Sequence, residues 1–350
     1  MRTSSKLYVG IAAWAMSFYA QAYPGESIVR DPATGNYTIT YRGDANSTEL
    51  SQTTFVPSTK IDPTIRSSFR LHDGGVVAYR YAVSNGASAK QAIVTIMLDE
   101  IVNPIMGELP FPRDPNATQA ADDAYNAATR AALSSPAAWD SDITRNPSAK
   151  LSRIAWSAHD LNTNGIQAGR TLARFGFSSL DLPGLGPSQM DGLGEVLGFP
   201  DEGPLEDSAV LAELERLRDN DFIARNAAVP TIAVPVPFDA AVLLERIRTH
   251  MLTWTGKQLV DPVFATQLDR YMVAAADAYR GNQPKAGKEH IETLREMLKR
   301  EHKNIDHDDE GNDDPDERNA VTGFTIDRLA ARVLDFDLRY VLKRTSKERD

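Results

Sequence analysis

The chain has 350 residues, with 38 Lys and Arg against 48 Asp and Glu, a formal net charge of −10 at pH 7, and no cysteine. The acidic balance disfavours nucleic acid or an anionic membrane as a partner, because phosphate binding needs basic patches. The missing thiols exclude disulfides, thiolate zinc sites and sulfur-linked lipid, so stability has to come from burial.

Arg2 and Lys6, the apolar run Leu7 to Ala20 and the small-x-small sequence Ala20-Gln21-Ala22 have the layout of a secretory signal peptide over residues 1–22. The run of 14 residues is shorter than the roughly 20 that cross a bilayer, so cleavage after Ala22 is expected rather than membrane anchoring. Loss of Arg2 and Lys6 takes the charge from −10 to −12. The expectation is an exported, periplasmic or extracellular chain without a membrane anchor.

From Tyr23 to residue 228 the pattern is strand-like, with period-2 alternation in runs bounded by Gly, Asn, Asp and Pro. Tyr37, Ile39 and Tyr41 form one such run. Val77, Tyr79, Tyr81 and Val83 form another, and Ser84-Asn85-Gly86 before Ile93 to Leu98 reads as a hairpin turn. Leu151 to Trp156 and Thr171 to Phe177 flank Asn164-Gly165, which reads as a hairpin turn, and Phe222 to Val234 could close the sheet. Strands without regular intervening helices predict an antiparallel β-sandwich over 23–228. Two helical insertions interrupt it, Asn116 to Leu133 and Leu205 to Arg218, and Leu182 to Pro187 with Gly192 to Pro200 read as unassigned Gly/Pro-rich loop.

Val229-Pro230 through Pro237 reads as an extended linker over 229–238, since proline fixes its own φ and biases its predecessor away from helix. Beyond it the period becomes helical. Asp239 caps a helix carrying Leu243, Leu244, Ile247, Met251 and Trp254; Asp261-Pro262 opens a second that stops at Gly281. Pro284 to Lys303 and Thr325 to Lys343 complete a small helical bundle over 239–345. The fold class is therefore α+β multidomain, an N-terminal antiparallel β-sandwich followed by a small C-terminal α-helical bundle.

Leu244-Glu245-Arg246-Ile247, the helix Leu268 to Tyr279 ending in Arg280-Gly281-Asn282, and His290 to Leu298 resemble the FIMAH-type helical domain appended to secreted bacterial proteins. An acidic insertion between the third and fourth helices departs from that pattern. Ile154 to Trp156, Gly165-Ile166, Gly169, Phe175-Gly176-Phe177 and Leu182-Pro183-Gly184 are similar to the sandwich modules such proteins carry. Neither resemblance implies an activity.

No Gly-x-Ser-x-Gly elbow and no His-Glu-x-x-His helix is present. Gly281 to Lys288 misses phosphate-loop spacing, and Gly192-Leu193-Gly194 with Gly198 misses dinucleotide spacing. Of the histidines, His72, His159, His250 and His290 stand apart from acidic runs. Trp139, Trp156 and Trp254 read as core rather than as carbohydrate platforms. Asp160 to Gly165 has the first half of a calcium loop, but Thr171 stands at its twelfth place.

The segment 305–318 is the strongest metal candidate. Numbered as a twelve-residue loop it offers Asp306, Asp308 and Glu310 at places one, three and five, Gly311 at the turn, the Asn312 carbonyl, Asp314 at nine and Glu317 as closing bidentate acid, a calcium set resembling an EF-hand. A solvated acidic linker is the competing reading, since eight of the twelve residues are acidic; transition metals held by His302 and His307 are another. Two functions fit the whole: an exported non-catalytic binding or structural protein, calcium-stabilised and recognising an extracytoplasmic protein or glycan, or an exported glycosidase-like hydrolase with a carboxylate pair on sandwich loops. If calcium fills the loop, millimolar calcium raises the melting temperature of the unmodified chain and not that of a Glu317→Gln variant. Equal melting of both with and without calcium makes 305–318 a linker.

Overall fold

The computed structural model describes residues 23–102, 118–146, 151–197, 199, 203–302 and 325–347. Along the chain these form β1 (Ser27–Arg30), β2 (Tyr37–Tyr41), β3 (Ser51–Val56), β4 (Pro63–Leu71), β5 (Val77–Asn85), β6 (Ile93–Val102), α1 (Gln119–Ala132), β7 (Leu133–Ser134), β8 (Trp139–Asn146), β9 (Leu151–Ala158), β10 (Arg170–Ser179), β11 (Leu182–Gly192), β12 (Glu195–Leu197), α2 (Ala209–Asp219) and β13 (Ile223–Ile232). Helices α3 (Ala240–Gly256), α4 (Pro262–Arg280), α5 (Pro284–Glu301) and α6 (Arg328–Lys347) follow. The signal-peptide reading falls on residues 1–22, outside the described residues.

The chain divides into two compact units, residues 1–57 with 194–221 and residues 58–193 with 222–350. The first is an antiparallel sheet in the order β1-β2-β3-β12 with α2 against it. Ile39, Tyr41 and Phe55, alternate residues of neighbouring strands, bury one face together with Val210 and Leu214 of α2. Ser208 caps α2 by accepting from the Val210 amide at 3.0 Å.

The second unit holds a β-sandwich. One sheet runs β4-β5-β10-β7 and the other β13-β11-β6-β9-β8, with every neighbouring pair antiparallel. Inward residues of the two sheets meet ring to ring: Trp156 of β9 lies 6.1 Å from Tyr81 of β5 and 5.7 Å from Phe175 of β10. Trp139, Trp156 and Trp254 are all buried, as expected of core residues. The C-terminal helices form the expected bundle, with α3 against α4 and α6, and α5 against α4 and α6. Asp239 and Asp261 cap α3 and α4 by accepting the Val242 and Val263 amides at 3.0 and 2.8 Å.

Four sequence expectations give way. Ser84-Asn85-Gly86 is not a hairpin: β5 pairs with β4 and β10, and β6 with β9 and β11, so the segment crosses between sheets. Asn85 is buried there, its Nδ2 donating to the Gln91 and Ile166 carbonyls at 2.8 and 2.9 Å and its Oδ1 accepting the Asp62 amide at 2.9 Å. The side chain is used to join three segments rather than to close a tight turn. Asn164-Gly165 likewise lies between sheets, since β9 and β10 belong to different ones. The third correction is the linker over 229–238: residues 229–232 end strand β13, in register with β11 (Val229 opposite Gly184, Pro230 opposite Pro183). Proline is tolerated because β13 is an edge strand. The domain boundaries drawn above, 23–228 and 239–345, differ from this division accordingly.

The Gly/Pro-rich segment proves to be β11, inside a sheet. Its pairing with β6 runs only from Ser188 to Gly192, so from Leu182 to Pro187 its ladder is with β13 alone. There the Leu185 amide donates to His250 Nε2 of α3 at 2.8 Å. Gly184 makes the approach possible, because a Cβ at that position would collide with His250 Nε2 and Thr231 Oγ1. Sandwich and bundle residues accordingly share one continuous buried core, with α6 packed on β11 and β13 and Phe336 edge-on to Phe69 at 5.0 Å. A Gly184→Ala variant is expected to lose about 1–3 kcal/mol, the usual cost of overpacking, read as a lower denaturant midpoint. An unchanged midpoint would mean that α3 does not seat against this strand.

Candidate binding groove at the sandwich edge

The six residues assigned to calcium, Asp306, Asp308, Glu310, Asn312, Asp314 and Glu317, lie outside the described residues. The chain on both sides is anchored: His302 Nε2 is 2.8 Å from the Ile326 carbonyl, and the Asp261 amide donates to Thr325 O at 2.7 Å. In the weaker candidate, Asp160 accepts from the Asn162 amide at 3.0 Å and from Thr163 Oγ1 at 2.7 Å. These bonds, the Thr163 hydroxyl foremost, hold its carboxyl below the ordinary value, and they commit its oxygens to a local turn. Among the described residues no three His, Asp or Glu are grouped to hold a metal. No described helix is long and apolar enough to cross a membrane.

The most perturbed acids are interior. Asp181 is pushed up to about 6 by burial, opposed by Arg246 and a bond from the Val234 amide. Asp337, only 1% exposed, is raised further by burial and then by Asp335, and neither of its oxygens has a partner. Asp335 is itself ion-paired with Arg295 and Arg339 at 2.7 and 2.9 Å. Asp181 and Asp337 are both buried, so these carboxyls do not form the solvent-facing pair that glycoside hydrolysis requires.

A groove of about 770 Å³ opens instead where the chain leaves β7 in one sheet and enters β8 in the other. Leu133, Pro136 and Trp139 supply apolar walls, and Ser134, Ser135 and Ser141 supply hydroxyls. Register explains how one arginine arrives. Arg80 of β5, Gly176 of β10 and Ser134 of β7 stand in one row across the sheet. With no Cβ on Gly176, the Arg80 stem passes close over β10, and its Nη1 donates to Ser134 Oγ at 2.8 Å. A second arginine arrives through a bulge: between Leu172 and Phe175 the pairing of β10 with β5 shifts, and Arg174 adopts φ of +80°.

Ala138, in the β7–β8 connection, is also left-handed at φ +63°. Two of the four described non-glycine residues with positive φ therefore border or line this groove, and such strain persists only where surrounding structure enforces it. Asp140 is paired with His159 at 3.0 Å. Arg174 has no carboxylate partner among the described residues, and the Ser135 hydroxyl is buried without one.

Sequence reasoning passed over Arg80 and Arg174. One signal was present for the second: the apolar spacing Leu172, Phe175, Phe177 breaks period two, which is the mark of a bulge.

No protein-family model and no curated protein matches the chain. Among solved structures, an uncharacterised protein from Nocardia farcinica described as having an immunoglobulin-like fold is similar at 12% identity, covering 49% of this chain and 98% of that one, with a TM-score of 0.24. The sandwich assignment rests on the strand pairing given above.

Two groups at the seam between β11 and α3 give stability a pH dependence. Asp181 is protonated in the folded chain where an unfolded carboxyl, near about 3.9, is already ionised. Its contribution is full below about pH 4 and is lost as pH rises through about 6. His250, pushed down to about 4 by burial and by Lys257, has the opposite sign: its contribution is present above about pH 6.5 and is lost as pH falls through about 4. An Asp181→Asn variant should therefore gain stability relative to the unmodified chain as pH rises from about 4 to 7, by on the order of 1–3 kcal/mol. Thermal melts across that range check it; a difference independent of pH contradicts the assignment.

Proposed function

We propose that this chain is an exported, non-catalytic binding protein whose sandwich presents the Arg80–Arg174 groove to an extracytoplasmic glycan. The observation that supports the reading most is the groove itself. Its size falls in the range of small-molecule sites, about 300–1,000 Å³. A bulge in β10 and the glycine gap at Gly176 bring Arg174 and Arg80 to the same groove as three serine hydroxyls, and the left-handed Ala138 borders it. The position of the raised acids supports binding over hydrolysis: the groove contains one carboxylate, Asp140, and no second one to act as its partner. The helical bundle, which resembles an appended FIMAH-type domain, would then serve attachment or assembly, and calcium at residues 306–317 would have a structural part.

The test is retention on an array of bacterial surface and plant polysaccharides, using the secreted chain and a Ser141→Trp variant that fills the groove. Retention by the unmodified chain, loss in the variant and no release of reducing sugar are expected. Retention unaffected by the filled groove, or cleavage of the bound glycan, would overturn the reading.

A further inference from the structure

Resting on that reading, we infer that the groove selects an acidic saccharide, one whose carboxylate or sulfate is held by Arg174 and Arg80 while its hydroxyls meet Ser134, Ser135 and Asp140. The charge argument comes first. In a chain of net charge −10, two guanidiniums converge on one groove, and neither is paired with a carboxylate among the described residues. Arg80 is steered by the Gly176 gap and holds only the neutral Ser134 hydroxyl; that bond uses one of its five donors. A guanidinium offers a planar fork that matches a carboxylate or sulfate through paired, charge-assisted hydrogen bonds.

The hydroxyl argument narrows the class. Ser135 Oγ is buried without a partner, and an unmet polar group of this kind is satisfied when a ligand hydroxyl reaches it. Asp140, on the same wall, can accept from a sugar hydroxyl. A sugar ring with one acidic group satisfies both arginines and the serine set together.

The backbone supplies a way to separate binding from folding. Arg174 sits at φ +80°, which costs an L residue with a side chain roughly 1–2 kcal/mol and costs glycine almost nothing. Arg174→Gly should thus melt no lower than the unmodified chain, yet lose the ligand. Titration calorimetry of the full secreted chain with polygalacturonate, with its fully methyl-esterified form, and with dextran sulfate beside dextran tests the class. Polygalacturonate or dextran sulfate should bind, their uncharged counterparts should bind about tenfold or more weakly, and Arg174→Gly and Arg80→Gln should each weaken the charged ligand about tenfold or more. An Arg270→Gln variant, on α4, should bind as the unmodified chain does. Equal affinity for the charged and esterified polymers, lost on filling the groove with Ser141→Trp, would overturn the acidic class while leaving a glycan groove in place. Charged-ligand binding that ignores both arginine variants, or that falls equally in Arg270→Gln, would also overturn it. Absence of any saccharide binding would remove the binding reading itself.

Discussion

The amide of Leu185 emerges from β11 where the ladder with β6 has stopped, and the His250 imidazole of α3 accepts its proton. This bond requires the histidine to be neutral with its proton on Nδ1, and it requires a strand surface bare enough for a helix to reach. Gly184 provides the bare surface. Because a buried backbone N–H left unpaired costs about as much as a lost hydrogen bond, an unusual strand is made viable by a helix, and the helix is held in place by the strand. The core that follows, from Trp156 between the sheets to Leu338 and Val341 on α6, is continuous across both.

That arrangement explains what could and could not be read from the sequence. Helices α3, α4 and α5 were legible to within a few residues, because Asp239, Asp261-Pro262 and Pro284 are local start signals and the apolar positions repeat at helical period. Strand β5 was legible for the same reason, its period-two pattern being local. Its partner was not: whether β5 pairs with β6 is a matter of which sheet each joins, and Asn85-Gly86 imitates a hairpin turn while its side chain is spent on three distant segments. β11 was invisible because its prolines and glycines, normally the mark of a loop, answer to tertiary demands of a helix on one side and an edge strand on the other.

The groove was legible only in fragments. Arg80 stands at an outward position of an alternating strand, which by itself says only that it meets solvent. Its significance comes from the row Arg80, Gly176, Ser134, assembled from three strands far apart in sequence. The contrast with the interior acids is instructive. Asp181 and Asp337 carry raised pKa values, yet both are buried in the core, where burial is the largest cause of their shifts. The groove's distinguishing marks are backbone strain and unmatched positive charge at an open surface.

If the seat of α3 on β11 joins sandwich and bundle as described, their amides should open together. Native-state hydrogen exchange followed by mass spectrometry in increasing denaturant is the direct measurement. The account predicts that the peptide containing Leu185 and those of α3 and α6 reach the same free energy of opening as the strands around Trp156. Loss of protection in α3 to α6 while the sandwich strands remain closed would show two separable bodies and contradict it.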